Sequence, residues 1–194
     1  AALNKLSGVE IRMVCPLHGP VWRSGLDRLL DKYRHWSTYT PEENAVLIAY
    51  ASVYGGTEAA ANALACRLAD RGVTNIALYD VSVTHPSVIV AEAFRCSHLV
   101  FAATTYNAGI FVTMENLLHD IANHNLQNRK IAVLENGSWA PTSGKQMREI
   151  LSTLKKCEFI GENVTIRSSL AEDQLAELDA IADAVAADIA AAKQ

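Results

Sequence analysis

Five short apolar runs, at 45–51, 76–79, 99–103, 131–134 and 164–166, constrain this chain more than any other feature. The first four are apolar throughout instead of alternating and the fifth is interrupted only by Thr165, so they read as strands buried on both faces. Helical patterns separate them, at 57–71, 87–95, 112–124, 143–155 and 172–191. Gly72 stands where the first of these helices needs a C-cap. The last repeats Leu175, Leu178, Ala182, Val185 and Ile189 along one face. Strands alternating with helices imply parallel crossovers, which cover a sheet on both sides. The expected fold class is therefore α/β, a three-layer sandwich around a five-stranded parallel sheet. At 194 residues and 50% hydrophobic, the chain has ample apolar side chain for one such core.

Residues 1–44 stand outside that rhythm. Residues 9–14 read as a short strand, CPLHGP follows, and LDRLLDKYRHW reads as a helix. STYTPEEN then reads as a linker, which puts the expected boundary between 44 and 45. The net charge of -4 supplies no basic patch for nucleic acid and no polybasic segment for a membrane surface. No apolar run approaches the roughly 18–20 residues of a membrane span. The first residues lack the shape of a signal peptide. Cys15, Cys66, Cys96 and Cys157 are scattered, with no C-x-x-C. The expectation is a reduced, cytoplasmic protein without a disulfide framework or a cysteine metal site.

The chemistry is expected where strands end. In an open parallel sheet, ligands sit outside the carboxyl ends of the strands, where strand order reverses. After the first run comes Ser52, Val53, Tyr54, Gly55, Gly56, Thr57, and a helical pattern follows at once. Glycines let backbone approach a phosphate, and the unpaired N–H groups of a helix's first turn point at it. No Lys follows as in G-x-x-x-x-G-K-[ST], and G-x-G-x-x-G is absent, so a monophosphate suits the loop better than a triphosphate or a dinucleotide. The alternative is an ordinary βα turn with Thr57 as helix N-cap. After the third run comes Thr104, Thr105, Tyr106, Asn107, Ala108, Gly109. After the fourth comes Asn136, Gly137, Ser138, Trp139, Ala140, Pro141. Each of these two loops has one aromatic among small residues. A flat ring could lie near Tyr106 and Trp139, its edge read by backbone groups. A phosphate cradle beside two such loops suits flavin mononucleotide (FMN).

ASVYGGTE, TTYNAGIF and ENGSWAP resemble the three flavin loops of the flavodoxin-like domain in flavodiiron proteins, the A-type flavoproteins. VCPLHGPVWR and YRHWSTYTPEE resemble the end of that family's metallo-β-lactamase-like domain and its linker. The resemblance covers roughly 9–192. It implies a flavodoxin-like domain at 45–194 preceded by the tail of another domain at 1–44. It implies that Ser52, Tyr54, Gly55, Gly56 and Thr57 hold the FMN phosphate, and that Thr104 to Asn107 and Asn136 to Trp139 flank the ring. Val53 and Gly109 complete the expected site. The family's second loop usually carries Pro where this chain has Thr104. His18 matches the last ligand of the family's di-iron centre. One histidine cannot hold two irons, so His18 is a ligand only where the upstream domain is supplied.

The implied activity is electron transfer through FMN, within an oxidoreductase that reduces oxygen or nitric oxide when complete. The implied partners are a donor such as rubredoxin or a reductase, and a second copy in a head-to-tail dimer. A stand-alone NAD(P)H-dependent FMN or quinone reductase of the same fold is the alternative; the CPLHGP tail and linker disfavour it. A receiver-type signalling module needs carboxylates at the ends of the first and third strands. Those positions carry Ala51-Ser52 and Ala103-Thr104. His119 and His124 are five apart and share no helix face. Glu58 and Glu115 read as solvated helix residues, and Asp80 as a turn cap.

Overall fold

The computed structural model of the protein describes Lys5 and residues 8–192. The chain divides into two units, one ending at Thr40 and one beginning at Pro41. In the first, the segment read as a strand at 9–14 pairs only at its end. Val14 and Trp22 exchange backbone hydrogen bonds of 3.0 and 2.9 Å, which closes the loop carrying His18. Helix α1, Leu26–Thr38, ends at Tyr39 in the left-handed region (φ 56°), whose N–H reaches back to the His35 and Trp36 carbonyls.

The second unit alternates strand and helix. Its elements are β1 Glu43–Ala51, α2 Gly56–Asp70, β2 Ile76–Asp80, α3 Pro86–Arg95, β3 Cys96–Tyr106, β4 Gly109–Ile110, α4 Val112–Asn123, β5 Lys130–Asn136, α5 Ser143–Leu151, β6 Glu158–Phe159, β7 Val164–Ile166 and α6 Leu175–Ala191. A 3-10 turn, Glu172–Gln174, precedes α6. The sheet runs β2-β1-β3-β5-β6, all parallel, with β7 also beside β5 and β4 antiparallel to β3.

The apolar runs are continuous because alternate residues feed two cores. Leu47, Ala49 and Ala51 face α3, α4 and α5, where Ile89, Leu117 and Met147 pack. Val46, Ile48 and Tyr50 face α2 and α6, against Leu64, Leu68, Ile181 and Val185. These are the three layers. Strand order reverses between β1 and β3, so the crevice opens at their carboxyl ends.

The fifth apolar run forms β7 with the expected bounds, and a further short strand, β6, lies ahead of it beside β5. Glu158–Phe159 pairs with the start of β5 and Val164–Ile166 with its end. Between them the backbone leaves the ladder through Gly161, at φ 68°. Helix α5 stops at Leu151, short of 155, because the Ser152 and Thr153 hydroxyls donate to the Glu149 and Ile150 carbonyls and compete for the last turn. The Arg129 guanidinium, 2% exposed, donates to the Ala93 and Phe94 carbonyls and fastens the end of α3 to the start of β5. Its burial pulls its pKa down to about 10. No helix among the described residues is long and apolar enough to cross a membrane.

Candidate functional site

A cavity of about 400 Å³ opens at the carboxyl edge of the sheet. Twelve of the residues expected from sequence line it: Ser52, Val53, Tyr54, Gly56, Thr57, Thr104, Thr105, Asn107, Asn136, Gly137, Ser138 and Trp139. Ala108, Ala140 and Ser168 join them. Its lining carries no charged side chain. The size falls in the range of small-molecule and cofactor sites.

The first wall is built by the turn from β1 to α2. Ser52 Oγ accepts from the Gly55 N–H at 3.1 Å, which folds the turn back on itself. Gly55 is the helix N-cap at φ 87°, a conformation that suits glycine, and no side chain caps the helix. Thr57 is therefore not the N-cap but the second helical residue. The first intrahelical bond runs from the Ala59 N–H to the Gly55 carbonyl, 2.8 Å. The N–H groups of Gly56, Thr57 and Glu58 precede it and have no acceptor within the helix. Gly56 serves close approach: a Cβ there would lie 1.9 Å from the Ser168 carbonyl oxygen.

The second wall is a hairpin. Tyr106 pairs with Gly109, leaving Asn107 (φ 49°) and Ala108 (φ 57°) as a two-residue turn with both residues left-handed. Thr104 Oγ1 stands 2.9 Å from Thr57 Oγ1, so the residue that replaces the expected proline ties this wall to α2. Thr105 Oγ1 accepts from the Thr142 and Ser143 N–H groups at 3.0 and 3.2 Å and donates to Ser143 Oγ at 3.1 Å. The Ala108 carbonyl accepts from Thr142 Oγ1 (3.0 Å) and Gln146 Nε2 (2.8 Å). Tyr106 does not line the cavity. Its ring packs edge-on against Phe111, centroids 5.8 Å apart. Gly55 and Gly109 shape turns and also stay off the lining.

The third wall is the loop after β5. Gly137 is close-packed: a Cβ there would sit 2.9 Å from Pro141 Cα. Trp139 is 97% exposed, and Tyr54 in the first wall 98%. Glu135, 6% exposed, holds the loop from behind. Its carboxylate accepts from the Gly144 N–H at 2.8 Å, Asn163 Nδ2 at 2.7 Å and Thr165 Oγ1 at 2.8 Å. Beneath the first wall, burial and the neighbouring Glu58 and Asp80 carboxylates push the Tyr50 phenol up. Asp80 caps its turn as expected, accepting from the Ser82 N–H at 2.7 Å. His18 is exposed, and no group of three His, Cys, Asp or Glu among the described residues could hold a metal ion.

Of the three lining residues beyond the expected ones, Ala108 and Ala140 lie in the loops read from sequence, and Ser168 lies outside them. It follows β7, in RSSL, with no glycine or proline to mark a turn.

The chain matches no family model. Over 155 residues it is 27% identical to the putative diflavin flavoprotein A 4 of Synechocystis sp., covering 79% of this chain and 25% of that one. Over 154 residues it is 26% identical to the nitric oxide reductase of Moorella thermoacetica, covering 79% and 38%. The solved rubredoxin oxygen:oxidoreductase from Desulfovibrio gigas superposes with a TM-score of 0.87 at 24% identity, covering 98% of this chain and 48% of that one. The chain spans less than half the length of these curated relatives. Its homologues are flavodiiron proteins, and the part of them that it matches folds as a flavodoxin-like α/β sandwich.

Proposed function

We propose that residues 45–194 are an FMN-binding electron-transfer domain of a flavodiiron-type oxidoreductase, and that 1–44 are the tail and linker of a metallo-β-lactamase-like domain. The observation that carries this reading is an uncharged cavity at the strand-order switch, lined by the three loops whose sequences resemble flavin loops. The lining suits the group. A phosphate offers only acceptors, and the first wall offers the N–H groups of the first turn of α2 beside a glycine that leaves no room for a side chain. Backbone amides of the second and third walls can read a ring edge, and the exposed Trp139 can cover a ring face. When bound, FMN supplies the electron chemistry; the chain binds it, orients it and sets its surroundings.

The names of the relatives support oxygen or nitric oxide as the final acceptor, and rubredoxin or a reductase as the donor, for the complete protein. A di-iron centre belongs to that complete protein, where His18 becomes one ligand, and a head-to-tail dimer and a cytoplasmic location belong to the same reading. The test is the visible spectrum of the purified protein and chromatography of what it releases. A flavin spectrum with FMN released supports the reading. FAD alone, or a colourless protein that takes up no FMN, overturns it. Rapid oxidation of NAD(P)H by this chain alone would favour the stand-alone reductase instead.

A further inference from the structure

The turn after β7 is strained, and it is strained beside the cavity. The Ser169 N–H donates to the Arg167 carbonyl at 3.0 Å, which closes a three-residue turn around Ser168 at φ 69°. A residue with a Cβ adopts this conformation only where its neighbours over-determine it. Two neighbours do so. Asn136 Nδ2 donates to the Ser168 carbonyl and Asn136 Oδ1 accepts from the Ser168 N–H, both at 3.0 Å. One partner is an acceptor and the other a donor, so the amide has a single satisfied orientation. Asn136 is 6% exposed and ends β5. The other neighbour is Gly56, bare of a side chain where the Ser168 carbonyl rests. The contact places Ser168 at the first turn of α2. The residue is exposed and lines the cavity.

We propose that Ser168 contacts the ligand of this cavity, donating its hydroxyl to a phosphate oxygen at the α2 end, and that Asn136 is a positioning residue acting through Ser168. This assigns Asn136 a task other than flanking a ring. The inference rests on the FMN reading of the cavity, and its test separates the two.

The experiment measures dissociation constants for FMN and for riboflavin, which lacks the phosphate, on the flavin-free protein and on Ser168→Ala, Asn136→Ala and the double variant. A hydrogen bond to a charged group predicts roughly 10-fold weaker FMN binding by Ser168→Ala, with riboflavin unchanged. Asn136→Ala should lose at least as much for FMN, and adding Ser168→Ala to it should lose little more, because the second residue acts through the first. Ser168 is exposed, so its single variant decides the matter even where Asn136→Ala does not fold. Unchanged FMN affinity in Ser168→Ala overturns the proposal, as does equal weakening toward FMN and riboflavin. Additive losses overturn the positioning role of Asn136. A parent protein that binds riboflavin but gains nothing from the phosphate, or binds neither, overturns the FMN reading itself.

Discussion

Removing the Glu135 carboxylate should cost far more stability than neutralising it. The carboxylate takes three donors, from Gly144, Asn163 and Thr165. In Glu135→Ala all three lose their acceptor. Gly144 is buried, so its N–H is left unsatisfied at a cost of about 1–3 kcal/mol. Asn163 and Thr165 are half-buried, and water entering the vacated space can recover part of theirs. The sum is about 2–4 kcal/mol. Glu135→Gln behaves differently, because Asn163 Oδ1 is buried and lacks a partner. The glutamine oxygen can keep the Gly144 N–H. Its NH2 can donate to Asn163 Oδ1 after an amide flip and to Thr165 Oγ1, whose hydroxyl rotates to accept. One orphan is exchanged for another, so Glu135→Gln should stay within about 1 kcal/mol of the parent. Urea unfolding followed by far-ultraviolet circular dichroism measures both, with the m-values compared to confirm a common unfolded state. If the two variants lose equal stability, the negative charge and not the donor pattern holds the loop. If Glu135→Ala loses less than about 1 kcal/mol, the three donors are satisfied by solvent and the reasoning fails.

Gly56→Ala should destabilise by about 1–3 kcal/mol, since its Cβ displaces the Ser168 turn and breaks both Asn136 bonds, and a double-mutant cycle with Asn136→Ala should show strong coupling. Gly55→Ala, whose Cβ meets nothing within 4 Å, should cost about 1–2 kcal/mol from its left-handed φ alone and add to Asn136→Ala without coupling. Ala108→Gly should stabilise by up to about 1 kcal/mol, as relief of the left-handed alanine exceeds the entropy glycine loses on folding; a lower urea midpoint would refute this. His98, 2% exposed, has its pKa lowered by burial, against the opposing pull of Asp188 (Nε2 to Oδ2 3.0 Å) and with Lys130 adding to the lowering. Its folded-state pKa lies below the unfolded 6.5, so the stability it contributes is present above 6.5 and is lost as pH falls through the folded value. Asp188→Asn should steepen that acid loss, and a flat urea midpoint from pH 7 to 5 in the parent would refute the assignment.

The layers were legible because their signal is local. A run such as AVLIAYA is apolar at every position only if both faces are covered, and α6 repeats its apolar face at helical spacing in a single stretch. The same logic explains the failures. Residues 9–14 have the composition of a strand, but a strand exists only where a partner lies alongside, and only Val14 has one. Strand β6 is only two residues, Glu158–Phe159, too short to show a pattern, and the turn that parts it from β7 is marked only by Gly161. The hairpin at Asn107-Ala108 lacks the Asn-Gly pair that announces such turns. That turn brings Phe111 edge-on against Tyr106.

The cavity shows the limit most clearly. Its loops were legible from residue type: glycines, hydroxyls and aromatics at strand ends. Its shape is set by polar contacts between segments far apart in the chain, 37 residues from Thr105 to Thr142, 32 from Asn136 to Ser168 and 28 from Glu135 to Asn163. No periodicity of 2 or 3.6 reports on such pairs. Glu135 reads in sequence only as the polar end of an apolar run, and Asn136 only as one of four residues flanking a ring. In the fold they are adjacent residues with separate tasks. Glu135 ties the third wall to α5 and β7, and Asn136 holds the strained turn that completes the cavity against Gly56. The glycine and the asparagine make sense only together. The open face of Gly56 is useful because Asn136 presses a carbonyl onto it, and the left-handed Ser168 is tolerated because both neighbours hold it.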